Sequence, residues 1–271
     1  MTTGTISKEA LSGLSPREIR ARIRDGRWTE RAEGLAPGYA MANLTVIPQD
    51  AAFDFLTFCL RNPVPCPIIE VTDPGSPWVK RAARDADLRT DLGRYRVYRH
   101  GEPVDETDDI SEHWRDDLVG FLLGCSYSFE TALLDANVSL RHIEEKKIAP
   151  VYATRVPCTP AGRFSGPMMV SMRPIRRDQV VRAVQVTSRF PATHGAPVHI
   201  GDPSAIGIDD LDDVCYNTDR IEVRPDEVPV FWGCAFTAHA AAMKSKLDLL
   251  ITHQSGHLLI TDMLSEEIAA L

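Results

Sequence analysis

Closely spaced cysteines are missing: the six present, Cys59, Cys66, Cys125, Cys158, Cys215 and Cys234, contain no C-x-x-C pair. Zinc knuckles and dense disulfide frameworks are thereby excluded, and most of the thiols are expected to be buried as small apolar groups. Long hydrophobic runs are missing as well. Nowhere do about 18 uninterrupted apolar residues occur to span a bilayer. The opening Met1–Ala10 has no apolar signal core, so the cytoplasm is the expected location and a membrane is not an expected partner. The chain also lacks any run of Lys or Arg, and 38 acidic against 30 basic residues give a net charge of -8. Such a chain repels phosphate backbones, which argues against a nucleic-acid partner. Nor is there an H-E-x-x-H helix motif to suggest a zinc site.

The chain does have length and shaped loops. Its 271 residues suffice for one large or two modest domains with a buried core. Thr187–Pro203 gathers two histidines, an arginine, an aspartate, two glycines and three prolines. Proline fixes φ and removes a backbone donor, while glycine admits turns closed to other residues. The segment therefore reads as a shaped loop that presents His194, His199 and Asp202. Either that loop carries function or it is a rigid connector whose histidines satisfy local backbone groups.

Around it the pattern alternates between helix and strand. Ser15-Pro16-Arg17-Glu18 combines an N-cap, a first-turn proline and a capping-box glutamate, and predicts a short helix to about Asp25. Gly34–Asn43 reads as a loop, with Asn43 either a ligand contact or a turn residue before the apolar Leu44–Ile47. Residues 50–61 place Ala52, Phe55, Leu56, Cys59 and Leu60 on one helical face, which Asn62-Pro63 ends. Strands are expected at 67–72 and at Tyr95–Arg99, the latter followed by a Gly101 turn. A helix capped by Ser111 is expected through Trp114, Leu118, Phe121 and Leu122. It breaks at Gly124, where Ser126 or Ser128 could cap the next helix. Free N–H groups there would attract anions and lower the Cys125 pKa, making that thiol a candidate nucleophile; a buried small-residue junction is the alternative.

From Ile148 two strand-like runs, 149–156 and 168–172, are joined by a proline-rich hairpin, and Asp178 is expected to cap the helix that follows. We read residues 141–190 as a smaller two-layer α+β domain inserted into a three-layer α/β main domain of residues 1–140 and 191–271. Further on, a strand at 227–232, a helix capped by Thr237 and a strand at 247–252 suggest a βαβ unit. Gly233–Thr237 and His253–His257 would then lie at the strand ends where ligands bind.

Seven ordered blocks resemble a hydro-lyase family related to D-glutamate cyclase. They are Gly34-Leu-Ala-Pro-Gly38, Arg61-Asn-Pro63 with Cys66-Pro67, Gly124-Cys-Ser-Tyr-Ser-Phe-Glu130, Val170-Ser-Met-Arg-Pro174, the run from His194 to Pro203, Val230-Phe-Trp232, and Gly256-His257 with Ile260-Thr-Asp262. The likeness runs from about residue 14 to 262. Three positions depart from it: Tyr127 replaces a usual phenylalanine, Gly233–His239 differs from the commoner Ala-Cys-Gly-Val-Thr-Pro-Gln, and Gln254-Ser255 replaces Ala-Pro. The resemblance implies an α/β fold with two unlike domains. It also implies a lyase that interconverts D-glutamate and 5-oxo-D-proline with water, and it brings no settled catalytic set.

Closing glutamate on itself requires deprotonation of an ammonium, stabilisation of a tetrahedral oxyanion and protonation of departing hydroxide. His194, His199, Asp202, His253, His257 and Glu130 are the candidates for proton transfer. His199 and Asp202 lie three residues apart, and Gly201 lets the carboxylate turn back toward the ring; alternatively Asp202 caps the turn before Pro203. Arg173 or Arg189 could clamp a carboxylate, and backbone N–H groups at Ser126 or Thr237 could hold an oxyanion. The expected partner is a small acidic amino or oxo acid, with no cofactor; a homodimer is left open. Two alternatives stand beside this reading. One is a metal-dependent enzyme using the two histidine pairs and Asp202, and the other is a non-catalytic small-acid-binding protein.

Overall fold

The structure is a computed structural model that describes residues 6–11 and 13–270; Met1–Thr5, half of the segment read as lacking a signal core, lie outside the described residues. The chain begins with helices α1 (Lys8–Leu11) and α2 (Pro16–Arg24), then β1 (Tyr39–Pro48), α3 (Gln49–Arg61) and β2 (Ile68–Val71). A hairpin of β3 (Tyr95–Arg99) and β4 (Glu102–Thr107) leads to β5 (Leu118–Gly124), α4 (Glu130–Asp135) and α5 (Arg141–Glu144). Next come β6 (Val151–Pro157), β7 (Pro167–Arg176), α6 (Val180–Thr187), β8 (His199–Ile200), β9 (Glu227–Gly233), α7 (Phe236–Lys244), β10 (Leu250–His253) and β11 (Leu259–Leu264). The fold is α/β. Its described strands form a seven-stranded sheet, ordered β2-β5-β1-β10-β3-β4 with β11 also on β1, and a four-stranded sheet ordered β6-β7-β9-β8. All of these pairings are antiparallel.

Local chemistry explains several elements directly. Ser15 and Glu18 form the predicted capping box of α2, and α3 ends at Arg61 with Asn62 as its cap. One face of the large sheet packs against α3 and α7 through Phe55, Phe58, Phe121 and Ala238. The other face is covered by the irregular segment around Val79–Leu92. Helix α7 lies between the two sheets: Ala241 packs beside Leu250, while Phe236 packs beside Val151 and Met169.

Several local expectations are corrected. The helix expected from Ser111 is a single 3-10 turn, Ser111–His113, followed by β5. All seven residues of β5 are buried, because both faces of the sheet are covered there, Phe121 and Leu123 on one side and Leu118 and Leu122 on the other; its apolar run is that of a two-sided strand, which helical spacing cannot exclude. The expected βαβ unit does not form, since β9 and β10 belong to different sheets and α7 crosses between them. The second sheet draws β6 and β7 from residues 141–190 and β8 and β9 from later in the chain. Finally, β1 begins at Tyr39, so the loop expected over Gly34–Asn43 is shorter. The expected side-chain caps Ser126, Ser128, Asp178 and Thr237 are not used as caps. Asp178 instead pairs with Arg176, and the Ser128 hydroxyl accepts the Met41 N–H.

Candidate active site

Strand β1 is complete along one edge and interrupted along the other. It pairs with β5 from Ala42 to Pro48. Its second edge is covered by β10 at Thr45 and Val46 and by β11 at Tyr39, Met41 and Ala42. Neither strand is paired with β1 at Leu44, where β10 ends at His253 and β11 has not yet begun. Backbone groups left in such a gap must find other partners. The Leu44 N–H donates to Nδ1 of His253 (3.2 Å), and the Leu44 carbonyl accepts from Nε2 of His239 (3.0 Å). One residue thus orients two imidazoles: it places the His239 proton on Nε2, and with the Leu44 N–H as its partner His253 also carries its proton on Nε2. The same carbonyl lies 3.4 Å from His253 Nδ1, so the opposite tautomer of His253 also has a partner.

The two rings stand 5.0 Å apart and nearly edge to face. Phe236 stacks on His253 (5.8 Å), and Tyr216 stacks on Phe236 (4.2 Å). Burial in this aromatic column disfavours the imidazolium. It lowers His239 to about 4 and His253 well below the usual range, with repulsion from His239 adding to the effect on His253. Both are therefore neutral at pH 7.

Two adjoining recesses meet at His253, Phe236 and Ser255, between the two sheets. The roomier one is lined by Asn43, Cys125 and Ser126 from the large sheet's side and by Ser171 and Cys234 from the smaller sheet's side. Its water-sized space is about 30 Å³, room for one or two waters. Tyr216 closes the outer recess, and its carbonyl is held by the Ser255 hydroxyl at 2.5 Å.

Beneath the floor lies a buried ion network. Arg173 donates through Nε and Nη2 to Glu130 Oε1 (2.9 and 2.5 Å), through Nη2 to Ser126 Oγ (3.0 Å) and through Nη1 to Ser171 Oγ (3.2 Å). The rings of Tyr127, Phe129 and Trp232 surround its guanidinium. Burial raises the Glu130 carboxyl, but the attraction of His142 and Arg173 outweighs it and holds the group below the ordinary value. His142 Nε2 is 2.9 Å from Glu130 Oε1, close enough for an ion pair but not aligned as a hydrogen bond.

The structure brings together only some of the residues singled out from sequence. His253, Asn43, Ser126 and Cys125 line the cavity, with Arg173 and Glu130 beneath it. Asn43 donates to the Gly124 carbonyl at 2.9 Å. The Cys125 thiol differs from expectation: burial pushes it up to about 12, and the helix end meant to activate it is one 3-10 turn, Ser126–Phe129. His199 and Asp202 do not form the expected pair. His199 Nε2 is 2.6 Å from the Asp202 backbone carbonyl, while the Asp202 carboxylate accepts from the N–H and hydroxyl of Ser204 and caps the turn at Pro203. His194, in a left-handed conformation, donates from Nδ1 to the Val64 carbonyl at 2.9 Å, and burial lowers it to about 4. His257 points away toward Gly93. Thr237 binds the Met169 N–H under α7, and Arg189 is exposed outside both recesses. Among the described residues no group of three or more His, Cys, Asp or Glu side chains is placed to hold a metal ion.

Sequence reasoning gave no role to Ser171, Cys234, Tyr216 or His142, and named His239 only as a departure from the family pattern. It also passed over Glu33, whose Oε2 is buried without a partner and would sit 3.0 Å from a Cβ on Gly256. Burial raises its carboxyl to about 7. Their roles are not marked locally, since each joins the site only through the tertiary fold, from a strand, a helix or a loop.

Fold and site together define an α/β protein with a recess between two sheets that is lined by a neutral histidine and several hydroxyl groups. Comparison with known proteins gives the family. The model of the D-glutamate cyclase family matches residues 119–262. A Bacillus licheniformis protein provisionally named a hydro-lyase is 53% identical over 261 residues, covering 96% of this chain and 99% of the relative. A similarly named Thermoanaerobacter protein is 55% identical over 256 residues, with 94% and 96% covered. Bacillus subtilis YcsI, also provisionally named a hydro-lyase, is 51% identical over 258 residues, with 95% and 100% covered. The chain belongs to the D-glutamate cyclase family. Among solved structures, a nitrogen repressor-like protein from Methanococcus jannaschii aligns over 90% of this chain and 97% of its own at 11% identity. Its TM-score of 0.38 is too low to carry an argument.

Proposed function

We propose that this protein is a cofactor-independent hydro-lyase that interconverts D-glutamate and 5-oxo-D-proline plus water in the cavity beside His253. Family membership supports the reaction class. The observation that carries the location is the His253–His239 pair held by the Leu44 peptide at a cavity lined with hydroxyl groups. In the forward direction the ammonium loses a proton, and the amine attacks the side-chain carboxyl carbon to form the C–N bond, after which the nitrogen gives up a second proton. The two protons pass to one oxygen of the resulting tetrahedral intermediate, whose C–O bond breaks as that oxygen leaves as water. His253 suits both transfers: with Nδ1 donating to the Leu44 carbonyl its Nε2 accepts, and with Nδ1 accepting the Leu44 N–H its Nε2 donates. The substrate reaches this depth by displacing the Tyr216 segment, which is held by the stack on Phe236 and the Ser255 hydrogen bond.

The test is direct: the purified protein is incubated separately with D- and L-glutamate, and 5-oxoproline is quantified. Selective conversion of the D enantiomer is expected. Formation of 5-oxoproline from neither enantiomer, with 5-oxo-D-proline likewise left unhydrated, would remove this reaction and favour a small-acid-binding role.

A further inference from the structure

We infer that the hydroxyls of Ser126 and Ser171 form a carboxylate-binding subsite in this cavity, with Arg173 as the positioning residue that acts through them. The inference rests on the cavity being the substrate site. Arg173 is 1% exposed and already paired with Glu130, so it does not meet a ligand itself. A guanidinium has only donors. In the contacts at 3.0 and 3.2 Å, therefore, Ser126 Oγ and Ser171 Oγ are acceptors, and each keeps its own proton to donate elsewhere. Among the described residues neither hydroxyl donates to a protein acceptor. Both serines line the roomier recess and are buried, at 7% and 3% exposure.

Two unspent hydroxyl donors, reached from one planar guanidinium, suit a planar group with two acceptor oxygens and negative charge. No Asp or Glu lines either recess to oppose it. Because Glu130 neutralises the guanidinium, recognition falls to the directed hydroxyls and not to net charge. This suits a protein whose overall charge repels anions. Polarisation by Arg173 makes each hydroxyl a stronger donor than a serine in water.

The experiment titrates the wild type, Ser126→Ala, Ser171→Ala and the double variant with acetate and with acetamide, following histidine ring signals by NMR, with melting temperature as the folding control. Acetate should bind the wild type at least ten-fold more tightly than acetamide. Each alanine should weaken acetate roughly ten-fold, the scale of a hydrogen bond to a charged group, and the double variant should lose the preference. Arg173→Lys should lose the preference while acetamide binding is unchanged, whereas a merely structural role would weaken both ligands alike. Unaltered acetate affinity in the double variant, or no acetate preference in the wild type, would overturn the subsite. The two proposals fail separately. Acetate preference without turnover of either glutamate enantiomer sinks the reaction alone, and D-glutamate turnover with an unchanged KM in the double variant sinks the subsite alone.

Discussion

At the scale of single residues, the chemistry depends on which polar groups remain free after the fold has satisfied the others. His199 contacts the Asp202 carbonyl and His194 the Val64 carbonyl, each through one ring nitrogen, and neither ring lines a recess. His253 is likewise hydrogen-bonded through one nitrogen, Nδ1, but its ring lines both recesses. Removing its imidazole should therefore cost the 100-fold or more typical of a lost acid–base group, while removing that of His199 should cost little. Cys125 illustrates the same rule for thiols: burial keeps it protonated, and a protonated thiol is a poor nucleophile. It contributes a wall of the cavity.

At the scale of elements, the site exists because β1 is flanked by a broken partner strand and because β5 approaches the loop after α6 closely. Gly124, the last residue of β5, makes that approach possible: a Cβ there would lie 1.9 Å from the Ala192 carbonyl oxygen. Backbone cannot yield as a flexible side chain does. Gly124→Ala should destabilise the protein by roughly 1–3 kcal/mol or more, read as a lower denaturant midpoint; an unchanged midpoint would show that the loop gives way. Much of this level was legible in the sequence. The α2 capping box, the stop at Asn62-Pro63 and strand β3 with the turn after it depend on neighbouring residues and were read correctly; β4 was not expected. The β5 strand was missed because its apolar run fits a helical face as well as a two-sided strand. The βαβ reading failed because local pattern does not say which sheet a strand joins. For the same reason the roles of Ser171, on β7, and of Leu44, whose backbone rather than its side chain orients the histidines, were not legible in the sequence.

At the scale of the whole molecule, several imidazoles are buried in the neutral form, and stability is thereby linked to pH. His194, His239 and His257 are lowered to about 4, and His253 further, each chiefly by burial. An unfolded histidine titrates near 6.5, so between about pH 4 and 6.5 the unfolded chain binds more protons than the folded one. Stability then rises with pH across that window and is lost on acidification. Glu33, raised to about 7, acts in the opposite sense between its unfolded value and 7, and offsets one histidine of the four. Each uncompensated group contributes a slope of up to about 1.4 kcal/mol per pH unit. Urea midpoints should accordingly fall between pH 7 and pH 5, and a midpoint that held or rose would show that these histidines are charged in the folded protein. The central claim, that proton transfer belongs to the cavity between the sheets and not to the proline-rich loop, is tested most directly by comparing kcat for 5-oxoproline formation in His253→Gln and His199→Gln, both confirmed as folded. The account predicts a loss of 100-fold or more in the first and a value within about two-fold of wild type in the second; the reverse order would contradict it.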